Sequence, residues 1–148
     1  MNDDKEAILE QWFARTVELY PQPTAEFLAA EKDPFRNPIG HTLREGLAVL
    51  LEEIVGRMNP ERIGPALDNV VRMRAVQDFT PSEAVSFVFL LRPILREFGP
   101  PRPAMIESHI DQLALLAFNN YMRCREQVAL LRAKESRRRD VVQTLRHG

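Results

Sequence analysis

The sequence predicts an all-α domain of about six helices on one core. Three observations carry this. Apolar residues recur at three- and four-residue spacing through every long segment, and no run alternates with period two. Most of the eleven prolines cluster between those segments (Pro21/Pro23, Pro34/Pro38, Pro100/Pro101/Pro103) or stand beside a capping residue, so they punctuate helices rather than interrupt them. A chain of 148 residues, 45% hydrophobic and 28% charged, suits one globular domain that buries its own core.

The first helix is expected from about Asp4 to Tyr20, with Ile8, Leu9, Trp12, Phe13 and Val17 inward and Pro21 ending it. A short second helix, about Thr24 to Lys32, takes Thr24 as its cap and points Phe27 and Leu28 inward. Asp33 to Pro38 is a loop, because residues before proline avoid helical angles. The third helix spans roughly Ile39 to Met58, on a stripe of Leu43, Leu47, Leu50, Leu51, Ile54 and Met58. Gly40 and Gly46 each weaken it by about 1 kcal/mol relative to alanine, a loss that close packing of another helix would explain.

Asn59-Pro60-Glu61 reads as a helix start, with a capping side chain, proline at the first position and an acid in the first turn. This fourth helix carries Ile63, Leu67, Val70, Val71 and Val76 to about Phe79. Asp68/Arg72 and Arg74/Asp78 lie four apart and can pair. Thr80-Pro81-Ser82-Glu83 is the clearest signal in the chain, a capping box with proline at the first helical position. The fifth helix, to about Phe98, is apolar nearly all round and so belongs in the centre, with a kink expected at Pro93. The last helix begins near Pro103 and runs beyond Lys134. Ile106, Ile110, Leu113, Ala117, Tyr121, Cys124, Val128 and Leu131 step along it in near-heptad rhythm. Leu115, Leu116, Phe118 and Met122 add a second apolar side to its first half. The domain is drawn as residues 1–135, with 136–148 a polar, basic, mobile tail.

Composition excludes several functions. A formal net charge of −1 lacks the basic excess of a nucleic-acid binder. No apolar stretch approaches the ~20 residues of a membrane span. The opening Met-Asn-Asp-Asp-Lys-Glu has no secretory pattern. One cysteine allows no intramolecular disulfide, which fits the cytoplasm.

Reactive chemistry finds little support. His41, His109 and His147 stand in no ligand spacing such as His-x-x-x-His, so metal sites lack their usual donors. His41 reads as a surface or cap-region histidine, His109 as a boundary histidine and His147 as solvated. The sharper alternative for His41 or His109 is a haem ligand in a helical pocket. Cys124 reads as a buried, inert thiol. Glu52 and Glu53 diverge by about 100° around their helix and form no acid/base pair. Arg137-Arg138-Arg139 reads as a solvated run. The expectation is a chain that is not an enzyme and uses no cofactor or metal.

Three segments are familiar together. They are Trp12 with Tyr20-Pro21 and the short helix after it, Glu31-Lys32-Asp33-Pro34-Phe35-Arg36-Asn37-Pro38-Ile39-Gly40, and Val71-Arg72-Met73-Arg74-Ala75-Val76-Gln77-Asp78-Phe79-Thr80-Pro81-Ser82. The pattern resembles the N-terminal sensor domain of the RsbR-type co-antagonist proteins, the RsbRD N-terminal family. That resemblance implies a globin-like helical fold without haem, homodimerisation, and a sensory or protein-interaction role in stress signalling. In full-length co-antagonists the domain precedes a phosphorylatable output domain of the STAS type, for which this chain has no room. Some stand-alone members lie near genes for anaerobic sulfur-respiration complexes, so a partner in a signalling or anaerobic respiratory pathway is implied. The family offers no catalytic residues to carry over. Arg72, Arg74, Asp78, Thr80 and Glu83 are read as a structural motif, closing the fourth helix and tying it to the cap of the fifth.

The function expected is therefore a non-catalytic sensor or adaptor acting as a homodimer. Its seam would be formed by Ile110, Leu113, Ala117, Tyr121, Cys124, Val128 and Leu131 on the last helix. The competing expectation is a globin-type binder of haem or a small apolar ligand.

Overall fold

The structure is a computed structural model that describes residues 2–77, 79–99 and 104–147. Among the described residues seven α-helices follow in order: α1 (Asn2–Val17), α2 (Gln22–Ala30), α3 (Pro38–Ile54), α4 (Pro60–Val76), α5 (Pro81–Val85), α6 (Leu91–Phe98) and α7 (Ala104–His147). A single 3-10 turn, Ser86–Val88, joins α5 to α6. No strand occurs among the described residues. Helices α3 and α4 form the central pair, α7 lies along α4, and α1 crosses α3 and α6. Trp12, Leu43, Leu47, Leu50, Ile54, Phe87, Leu91, Ile94, Ile110 and Leu113 fill the space between them and are fully buried.

The predicted starts form as expected. Asn59 accepts from the Glu61 amide at 3.0 Å, and Pro60 opens α4. The Thr80 side chain accepts from the Glu83 amide, and the Glu83 carboxylate returns the bond to the Thr80 amide at 2.9 Å. Gly46 is explained by close packing: a Cβ there would meet Val70 Cγ2 at 2.7 Å and the Ala66 carbonyl oxygen at 3.2 Å. Only a hydrogen at that position lets α3 and α4 approach this closely.

Several expectations are corrected. Helix α2 starts earlier, at Gln22, with Pro21 at its cap position, and Thr24 lies inside it. Leu28 is buried, but Phe27 is half exposed on the outer side. Helix α3 stops at Ile54, short of Met58. The chain then turns so that the Met58 amide reaches back to the Glu53 carbonyl at 3.1 Å, with Met58 itself at φ 53°. That left-handed angle costs a side-chain-bearing residue about 1–2 kcal/mol. Val76, expected inward, is exposed at the end of α4. The fifth helix does not run through with a kink at Pro93. It breaks earlier, at the 3-10 turn, and α6 restarts so that Pro93 falls in its first turn. Proline has no N–H to donate, and in a first turn none is required.

Side-chain links missed by periodicity fix the corners. Asn37 is buried and bonds three ways: its Oδ1 accepts from the Gly40 amide at 2.9 Å, and its Nδ2 donates to the carbonyls of Leu28 and Glu31. It thus ends α2 and starts α3 at once. Arg62 reaches Glu53 at 2.6 Å and Glu52 at 2.7 Å, while Glu53 also accepts from the Asn59 amide at 2.8 Å. The two diverging carboxylates are gathered by one guanidinium and pin the α3–α4 connection.

Candidate interaction surface

Helix α7 has 44 residues, about 66 Å at 1.5 Å per residue. Only its first part lies on the body. Ile110, Leu113, Ala117, Tyr121 and Cys124 point into the core and are buried there. Polar bonds reinforce that docking. The Tyr121 hydroxyl donates to the Phe79 carbonyl, Arg125 donates to the Ala75 carbonyl at 3.1 Å, and Arg72 donates to Gln127 at 2.9 Å. Five of the seven residues expected to face a second copy are therefore covered by their own chain. Packing explains the difference, because α4 and α5 supply an apolar surface of matching length before any partner is needed.

Two apolar surfaces on α7 are left uncovered. The outer side of the docked half exposes Leu115 (69%), Leu116, Phe118 and Met122. These are the residues expected to add a second apolar side to the first half of the helix, and the body does not cover them. Beyond the body, every residue from Ala129 to Arg146 is exposed. The seam there continues from half-buried Val128 through Leu131 (63% exposed) to Val142 and Leu145 (76% exposed). The segment expected as a mobile tail is helical through His147, and Arg137, Arg138 and Arg139 lie in it, exposed.

Of the residues read as a structural motif, Arg74, Thr80 and Glu83 meet at the α4–α5 corner, and Arg72 turns away toward α7. Arg72 pairs with Asp68 at 3.1 Å on the surface, as expected. Arg74 is fully buried. Its guanidinium carbon sits 5.2, 5.3 and 5.2 Å from the ring centres of Tyr20, Phe79 and Phe87. Nη1 donates to the Glu83 carbonyl at 3.3 Å, and among the described residues Nε and Nη2 meet no hydrogen-bond partner. The rings' negative faces hold the cation where water cannot. Burial pulls its pKa below the ordinary arginine value, with nearby Tyr20 opposing. Burial likewise raises the Tyr20 phenol, against the opposing field of Arg74. Asp78, the expected partner of Arg74, lies outside the described residues.

The histidines do not converge. His41 is exposed near the start of α3 and pairs with Glu45 at 3.0 Å. His109 Nδ1 lies 2.7 Å from the carbonyl of Ile54, at the other end of α3. Thirteen helical residues, about 20 Å, separate those two points. His147 ends α7, far along the projecting half. His41 borders a cleft of about 670 Å³ between α1, α2 and α3, with Phe13, Lys32 and the Arg44–Glu10 ion pair on its walls. Cys124 is buried beside Asn120, and burial pushes its thiol pKa up. Among the described residues no three His, Cys, Asp or Glu side chains gather as a metal site. Among them too, no helix is long and apolar enough to cross a membrane.

Fold and surface together define an all-helical domain whose organised features are a packed core and an overhanging helix with exposed apolar positions. The chain belongs to the family of the RsbT co-antagonist protein RsbRD N-terminal domain, whose family model matches residues 6–136. The family is one of regulatory, sensor-type domains in stress signalling. No curated protein and no solved structure matches the chain.

Proposed function

We infer that this domain is a non-catalytic regulatory adaptor in the cytoplasm, working by protein–protein contact and binding a second copy of itself through α7. The observation that carries the reading is the exposure of Leu131, Val142 and Leu145 on a helix running more than 20 residues past its last core residue, Cys124. A lone helix of that length is marginal in water and gains most of its stability from packing an apolar face. Of the expected seam, Val128 and Leu131 are the two residues free to serve. The separate stripe of Leu115, Phe118 and Met122, three and four residues apart, then serves a signalling partner, since exposed apolar surface of this kind marks interaction sites.

The test is light scattering after size-exclusion chromatography at high micromolar concentration. The parent chain is expected to be a dimer, and Val128→Glu or Leu131→Glu a monomer, because burying an unpaired charge costs several kcal/mol. Phe118→Glu should leave the dimer intact. A parent chain that stays monomeric overturns the reading.

A further inference from the structure

Resting on that self-association, we propose that two copies pair their projecting α7 helices antiparallel, about a two-fold axis between Ser136 and Arg137. The argument is in the order of the seam. Past the body its positions are Val128, Leu131, Glu135, Arg138, Val142 and Leu145, spaced by three, four, three, four and three. This is the spacing of the two core positions of a heptad, and it keeps all six on one stripe of the helix. Read from either end, the order is apolar, apolar, charged, charged, apolar, apolar. The spacing is unchanged by reversal, and the two central charges are opposite.

Such a pattern is complementary to itself turned end for end. In an antiparallel pair Glu135 faces Arg138 of the second copy, and by symmetry the ion pair forms twice. Leu131 then faces Val142 of the second copy, and Val128 faces its Leu145. All four apolar positions find apolar partners. The parallel arrangement sets Glu135 against Glu135 and Arg138 against Arg138 at the centre of the seam. Like charges at core positions are the means by which coiled coils reject an orientation. On the flanking stripe Arg132 comes beside Arg139 of the second copy, a like-charge contact at the rim of the seam, where exposed charges interact weakly.

The overhang allows this geometry. Residues 129–146 are exposed on every side, so a partner helix can lie along them with the two bodies at opposite ends of the pair.

Cysteine cross-linking reads the orientation directly, since a disulfide needs Cα atoms within about 7 Å. In a Cys124→Ala background, chains carrying Leu131→Cys are mixed with chains carrying Val142→Cys under oxidising conditions. The expected product is a disulfide between the two kinds of chain, with neither kind linking to itself. Glu135→Arg should weaken association at least tenfold, and adding Arg138→Glu to it should restore it. Three outcomes overturn the proposal. A dimer in which Leu131→Cys links to itself keeps the self-association and reverses the orientation. A dimer indifferent to Glu135→Arg and without cross-links puts the contact elsewhere. A parent chain that is monomeric removes the self-association on which it rests. All these positions except Cys124 are exposed, so the body's fold is not at stake, and Cys124→Ser replaces Cys124→Ala if the smaller side chain loosens the core.

Discussion

The two halves of α7 share one helix and one rhythm, yet they meet opposite fates. From Ile110 to Cys124 the seam lies under α4 and α5 and is lost to solvent. From Ala129 to Arg146 the same kind of spacing faces water on all sides. Periodicity therefore says that something packs on a stripe, and it leaves open whether the cover comes from the same chain. The nearest apolar surface wins, and here the body supplies it for about half the helix. Of this stripe, only the remainder is open to another chain.

The largest test of this contrast is a pair of truncations. Leu113→Ala should cost about 2–5 kcal/mol in urea denaturation, by lost transfer energy and a residual cavity. Leu131→Ala, measured where the chain is dilute enough to be monomeric, should change stability by less than about 0.5 kcal/mol. Equal losses at both sites would mean that the two halves are not differently covered. A second pair sharpens the same distinction within the body. Gly46→Ala forces a Cβ onto Val70 and the Ala66 carbonyl, an overpacking worth about 1–3 kcal/mol in the same assay. Gly64→Ala meets nothing within 4 Å beyond its chain neighbours, but its Cβ stands against the ring of Pro65, so the propensity gain is offset and the change should stay within about 0.5 kcal/mol.

Much of this fold was legible. The Thr80 capping box, the Asn59-Pro60 start and the inward stripes of α1, α3 and α4 are local patterns, and local patterns survive folding. What was hidden depends on distant partners. Arg74 looks like a solvent-facing charge because a helical stripe gives it no apolar role. Its burial rests on Tyr20, Phe79 and Phe87, which arrive from three separate segments. Asn37 and Arg62 are ordinary polar residues until the ends of α2, α3 and α4 meet around them. The same reason hid which part of the seam the body covers. Leu113 and Leu131 are equivalent in spacing, and only the length of the body distinguishes them.

The smallest effect concerns acid. Glu83 is held below the usual glutamate value of 4.5 by its bonds to the Thr80 amide and hydroxyl, and Glu10 by its bond to Arg44. Both folded values lie below the unfolded one, so their contribution is present above about pH 4.5 and is lost as pH falls through the lowered values. Glu83→Gln should flatten the decline in urea midpoint between pH 6 and pH 3. An unchanged slope would show that this cap carries none of it.

The chain has one tryptophan, and Trp12 is placed at the body's centre. Its indole donates to the Phe87 carbonyl at 2.7 Å and stacks on the Phe87 ring, 6.2 Å between centres. The protein thus carries an intrinsic fluorophore wired to the turn between α5 and α6. Its emission will shift when α1 parts from that turn. Events confined to the overhang, such as pairing or fraying past Gln127, will leave it dark. A titration that changes mass without changing emission would locate association optically, with no label attached.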